Sequence, residues 1–120
     1  MTVGPALRLV LVDNDRAVID LLSLDLELEG HDIVATADNG EDALRICDEH
    51  QPDVLVVDFR LGPGMNGIDV ARQMHMRRPD LRIVLFTNYI NQFVVSAAAE
   101  LDVALIEKGN LHALRRAVAG

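Results

Sequence analysis

Aromatic side chains are scarce in this sequence: three Phe, one Tyr and no Trp in 120 residues. That disfavours recognition of bases by stacking and an aromatic-lined ligand pocket. Basic charge is short too, with 11 Lys and Arg against 19 Asp and Glu and a net charge of −8. Direct binding to nucleic acid is therefore not expected, since phosphate contacts need a basic patch. The single cysteine, Cys47, excludes an internal disulfide and fits a reducing compartment. It falls in an apolar helical pattern, as a core residue does. His31, His50, His75 and His112 are scattered without ligand-like spacing. No run approaches the roughly 18 apolar residues of a membrane span. The first apolar run ends in Asp13, Asn14 and Asp15 without a cleavage pattern, so no signal peptide is expected. Half of the residues are hydrophobic and a quarter charged, the composition of one globular domain spanning 1–120.

The densest information lies between Pro52 and Gly67, PDVLVVDFRLGPGMNG. The β-branched run Val54–Val57 between turn residues predicts a strand buried on both faces, closed by Asp58. Around it the chain alternates. Leu7–Val12 predicts a first strand. Asp15 is placed to cap a helix from Arg16 to about Glu29, with Val18, Leu21, Leu22 and Leu28 apolar and Gly30 as its stop. A second strand covers Ile33–Ala37. After a turn at Asp38, Asn39 and Gly40 comes a helix carrying Ala43, Leu44 and Cys47 on one face. A third helix covers about Ile68–Arg78 and stops ahead of Pro79. Leu81–Phe86 is a fourth strand ending in Thr87. Ile90, Phe93, Val94, Ala97, Ala98 and Leu101 form one stripe of a fourth helix, expected to be mostly core. Val103–Ile106 is a fifth strand followed by Glu107 and Lys108. Asn110 caps a last helix with Leu111, Leu114 and Val118. Strict alternation of five strands and five helices predicts an α/β fold, a single doubly wound parallel sheet with helices on both faces.

In such a sheet the C-terminal strand ends share one edge, where open α/β folds place their ligands. Those ends carry Asp13, Asp58, Thr87 and Lys108. Two adjacent carboxylates repel unless a cation separates them. Mg²⁺ suits them, because it takes oxygen ligands and bridges carboxylates to phosphate. A hydroxyl and an ammonium beside a carboxylate suit a phosphoryl group made or broken there. Asp58 by itself has a plainer reading, as a turn cap.

The segments LVLVDND, PDVLVVDFRL with MNGIDVA, IVLFTN and ALIEKGN, each on its expected strand, jointly resemble the receiver domain of two-component response regulators over nearly the whole chain. The resemblance implies a flavodoxin-like sheet of order 2-1-3-4-5. It implies that Asp58 accepts phosphate from a sensor histidine kinase, with Thr87 and Lys108 assisting. Mg²⁺ would be held by Asp13, Asp58, the Arg60 backbone carbonyl and Asn14, with Asp15 a further candidate. An effector domain or a second copy would dock on the fourth helix, fifth strand and fifth helix of a cytoplasmic protein. Catalysis would extend only to its own phosphorylation and dephosphorylation. The departures are specific. Asn14 stands where the family has a second acid, so weak Mg²⁺ binding is expected. Asn88 replaces a small residue, Leu105 the switch aromatic and Gly109 a proline, and the loop after Leu61 is one residue longer. Arg60, Asn88 and Tyr89 border the approach to Asp58, so slow loss of the phosphoryl group is expected unless these side chains point to solvent. The chain ends with its fifth helix, which fits a stand-alone regulator and a piece of a longer one alike.

Three rival readings compete. Gly62, Gly64 and Gly67 spell GxGxxG, but a dinucleotide site needs that motif to open a helix directly after the first strand. VDND also resembles the nucleophile motif of haloacid dehalogenase-like phosphatases, with Asp13 as nucleophile, yet no acid follows Lys108. The third is a degenerate receiver that binds partners unphosphorylated, a reading that Asn14 favours. Arg115 and Arg116 suit either a partner contact or the dipole of the last helix.

Overall fold

The computed structural model describes residues 5–120, so four residues of the expected 1–120 domain lie outside the described part. The elements run β1 (Arg8–Val12), α1 (Arg16–Leu28), β2 (Asp32–Ala37), α2 (Gly40–His50), β3 (Val54–Val57), α3 (Gly67–Arg77), β4 (Arg82–Thr87), α4 (Gln92–Leu101), β5 (Ala104–Glu107) and α5 (Leu111–Ala119). All strands are parallel, in the order β2-β1-β3-β4-β5. No helix among the described residues is long and apolar enough to cross a membrane.

Alternation along the strands divides the core into two layers. Val10, Val12, Leu55, Val57, Ile83 and Leu85 face α2, α3 and α4, meeting Ile46, Cys47, Ile68, Met74, Val94 and Ala97. Leu9, Leu11, Val54, Val56, Val84 and Phe86 face α1 and α5, meeting Ile19, Leu22, Leu26, Leu114 and Val118. Two packed faces are why β1, β3 and β4 read as continuous apolar runs. The edge strands β2 and β5 are only half-buried.

Every helix starts on an Asp or Asn side chain that accepts a backbone N–H: Asp15, Asn39, Asn66, Asn91 and Asn110. The cap satisfies an otherwise orphaned donor and fixes where the helix begins. Two sequence expectations need correction here. Gly40 belongs to α2 rather than to the preceding turn, because Asn39 is the cap. Ile90 lies outside α4, because Asn91 is.

Two helix faces also differ from expectation. On α1 the packed residues are Ile19, Leu22 and Leu26, while Leu21 and Leu28 are 51% and 77% exposed. The stripe expected to be core on α4 is only partly so. Val94, Ala97 and Ala98 are buried, Leu101 is half-buried, and Ile90 and Phe93 are exposed. In both helices apolar residues surround more than one face, and periodicity alone does not select which face meets the sheet.

Candidate functional site

Register brings Asp13 level with Asp58 and sets Thr87 one residue and Lys108 two residues further along the same edge. Val12 pairs with Val57, Val57 with Leu85, and Thr87 with Glu107. The ladder continues one residue further at each end. Asp13 N–H donates to the Ala37 carbonyl, Asp58 N–H to Val12, and Lys108 N–H to Thr87. Asp13, Asp58 and Thr87 are therefore held by backbone bonds, and all three are buried.

Lys108 closes the cluster. Its Nζ lies 2.7 Å from Asp13 Oδ2 and 3.0 Å from Asp58 Oδ2. One ammonium thus pairs with two carboxylates. Asp13 also accepts the Asp15 N–H on Oδ1 at 2.8 Å. Burial pushes the Asp13 carboxyl above its usual range and the neighbouring Asp58 adds to this, while the bonds from Lys108 and the Asp15 amide work against it. Burial favours neutral Lys108, but its bonds to Asp13 and Asp58 outweigh that and raise its pKa.

Asp58, Arg60, Thr87, Asn88, Tyr89 and Lys108 line an open cavity of about 330 Å³. Thr87 Oγ1 accepts the Tyr89 N–H at 3.0 Å. Asn14 and Asp15 are not among its lining residues. Asn14 is exposed and, with Asp13, Asp38 and Asp42, lines a neighbouring hollow on the β2 side. The Asp15 carboxylate accepts the Ala17 N–H as the α1 cap.

The loop from β3 to α3 folds back hard on the site. Gly67 N–H donates to the Phe59 carbonyl at 2.7 Å. A β-carbon at Gly67 would lie 2.1 Å from the Asp58 carbonyl oxygen. The GxGxxG spelling is thus accounted for without a nucleotide. Gly62 and Gly64 turn the loop at φ of 89° and 94°, and Gly67 lets the loop close.

Sequence reasoning passed over Phe59. Its ring stacks on Tyr89, with centroids 5.3 Å apart and planes 5° from parallel. The Arg60 guanidinium lies 3.9 Å from the centroid of the Tyr89 ring. The sequence held a signal: in a chain with four aromatic residues, Phe59 directly follows Asp58 and Tyr89 stands two positions after Thr87.

Asp13 and Asp58 offer hard carboxylate oxygens side by side in a buried setting, and that donor set fits a divalent cation of the Mg²⁺ kind. With a hydroxyl and an ammonium at the same mouth, the arrangement suits an anionic group of phosphoryl type at Asp58.

Residues 9–117 match the family model of the response regulator receiver domain. The chain is 31% identical over 86 residues to the alkaline phosphatase synthesis transcriptional regulatory protein PhoP of Bacillus subtilis, covering 72% of this chain and 35% of that protein. It is 42% identical over 79 residues to the transcriptional regulatory protein AfsQ1 of Streptomyces coelicolor, covering 66% and 34%. The matched stretch thus spans about a third of these relatives' length. Among solved structures, a two-component response regulator of the LuxR family from Aurantimonas sp. SI85-9A1 superimposes with a TM-score of 0.85 at 26% identity, covering 96% of this chain and 86% of that one. The signal receiver domain of the response regulator NarL from Mycobacterium tuberculosis gives 0.84 at 25%, covering 98% and 100%.

Proposed function

Because the chain belongs to the response regulator receiver domain family, we propose that it takes a phosphoryl group from a sensor histidine kinase onto Asp58 and thereby switches a partner surface. One observation carries the assignment to Asp58. Of the two carboxylates bound by Lys108, Asp58 lines the open cavity with Thr87, whereas Asp13 does not. In the transfer, an Asp58 carboxylate oxygen bonds to phosphorus as the P–N bond to the donor histidine breaks. Lys108 and the Thr87 hydroxyl offset the charge on the phosphoryl oxygens. Mg²⁺ would be held by Asp13, Asp58 and the Arg60 backbone carbonyl, with Asn14 or Asp15 at its margin. When bound, it supplies further positive charge to the same oxygens. Asn14 brings no charge, so the ion is held weakly.

The Thr87 hydroxyl must turn toward the phosphoryl oxygens to assist. Its bond to the Tyr89 amide links that turn to the loop leading into α4. The α4, β5 and α5 surface is the one we assign to an effector domain or a second copy. The receiver then acts in the cytoplasm as a signalling module, whose only catalysis is its own phosphorylation and dephosphorylation.

The test is intact mass after incubation with a small phosphodonor and Mg²⁺. Wild type gains one phosphoryl group and Asp58→Asn gains none. A phosphate mapped to Asp13 would transfer the nucleophile role to that residue. Absence of any adduct would favour a receiver that works unphosphorylated, the reading in which Asn14 weighs most.

A further inference from the structure

Three of the four aromatic rings in this chain gather at one place. Phe86 is in the core, but Phe59, Tyr89 and Phe93 form a row beside the cavity. Phe59 stacks flat on Tyr89, and Phe93 meets Phe59 edge-on with centroids 6.2 Å apart and planes at 67°. Tyr89 is 38% exposed and Phe93 57% exposed, so the row lies at the surface rather than in the core. The Arg60 guanidinium sits over the Tyr89 ring. Arg60 and Tyr89 both line the cavity that holds Asp58. The Tyr89 amide is bonded to Thr87 Oγ1, so the ring row and the hydroxyl share one backbone segment.

Long exposed side chains such as Arg and Tyr sample several rotamers unless something fixes them. Here the fixing group is Phe59, whose flat contact selects one orientation of the Tyr89 ring. That ring in turn gives the guanidinium a face to rest on. We propose that Phe59 is a positioning residue of this site: it holds Tyr89 and Arg60 across the mouth of the Asp58 cavity as one stacked lid, and the lid is tied to the Thr87 hydroxyl through the Tyr89 amide. For the lifetime of a phosphoryl group the proposal rests on Asp58 as acceptor. Hydrolysis there requires a water to reach phosphorus opposite the bond to Asp58. The water oxygen then bonds to phosphorus, the bond to Asp58 breaks, and inorganic phosphate leaves as the water proton passes to solvent. A lid held over the mouth limits that approach.

Tyr89 is the only tyrosine and there is no tryptophan, so tyrosine emission reports this one ring. In unlabelled protein, acrylamide quenching of that emission should rise in Phe59→Leu and in Thr87→Val. In protein carrying the phosphoryl group, decay followed by intact mass should be about two- to tenfold faster in Phe59→Leu, the range expected when one stacked aromatic pair is lost. Phe59→Tyr, which keeps the flat ring, should keep the wild-type decay. Tyr89→Ala should speed decay as Phe59→Leu does, and the double variant should be no faster than Tyr89→Ala alone. Should Phe59→Leu fold poorly, Tyr89→Ala and Phe59→Tyr decide the matter. Unchanged quenching in Phe59→Leu, or wild-type decay in Tyr89→Ala, overturns the proposal. If wild type takes no phosphoryl group, the acceptor reading fails by itself, and the quenching comparison alone still decides whether Phe59 positions Tyr89.

Discussion

At the scale of single residues, charge at the site is the quantity that substitutions control. Asp13 and Asp58 share the Lys108 ammonium, and Asn14 stands beside them without charge. Asn14→Asp should tighten Mg²⁺ binding in a titration, because hard-cation affinity follows ligand charge. Lys108→Met should also tighten it, by removing a positive charge from the same carboxylates. Weaker binding in both variants would mean that the ion sits elsewhere. Cys47 makes a separate prediction. Burial pushes its thiol from 9.0 up to about 12, so the folded state keeps it neutral while the unfolded chain ionises it above about 9. The sign follows: this thiol costs no stability below pH 9, and stability falls as pH rises from there toward 12. The slope is about 1.4 kcal/mol per pH unit for one proton. Denaturation of Cys47→Ala alongside wild type should show the difference between the two shrinking over that range. The acid, hydroxyl and lysine positions were all legible in the sequence, because each directly follows or ends an apolar strand. Phe59 was not, because its contribution is a contact with Tyr89, thirty positions away, that only the fold creates.

At the scale of elements, starts were easier to read than faces. Asp15 and Asn110 were legible as caps because a cap is a local bond between near neighbours. The packed face of α1 was not, since leucines stand at 21, 22, 24, 26 and 28 and offer several stripes. The structure resolves this into a measurable contrast. Leu26→Ala should cost about 2–5 kcal/mol in urea denaturation, while Leu28→Ala should stay within about 0.5 kcal/mol. Similar costs at both positions would contradict the assigned face. The β3–α3 loop gives a sharper case. Gly67→Ala would place a methyl group against the Asp58 carbonyl. It should destabilise by about 1–3 kcal/mol or more, and it should depress phosphoryl uptake, since the same backbone carries Asp58. Normal uptake in a stable Gly67→Ala protein would show that the loop shifts freely.

At the scale of the whole molecule, alternation of strand and helix was enough to predict the parallel sheet, and the order β2-β1-β3-β4-β5 followed from family resemblance rather than from pattern. The physical reason is that periodicity reports what each segment buries, whereas strand order depends on which segments meet. The ammonium that bridges Asp13 and Asp58 is where those meetings end. It belongs to a residue 50 positions beyond Asp58, and it arrives only when β5 has docked on β4. Contacts of such long sequence separation form slowly, because chain closure comes before any contact that compensates it. The site is therefore a clock for folding as well as a place for chemistry. In refolding from denaturant with pulses of phosphodonor, the capacity to take up phosphate should appear with the slowest phase of secondary-structure recovery. Uptake that preceded that phase would mean that a partly assembled sheet already suffices. The expected consequence is a receiver with no phosphate-accepting state short of the docking of β5 on β4.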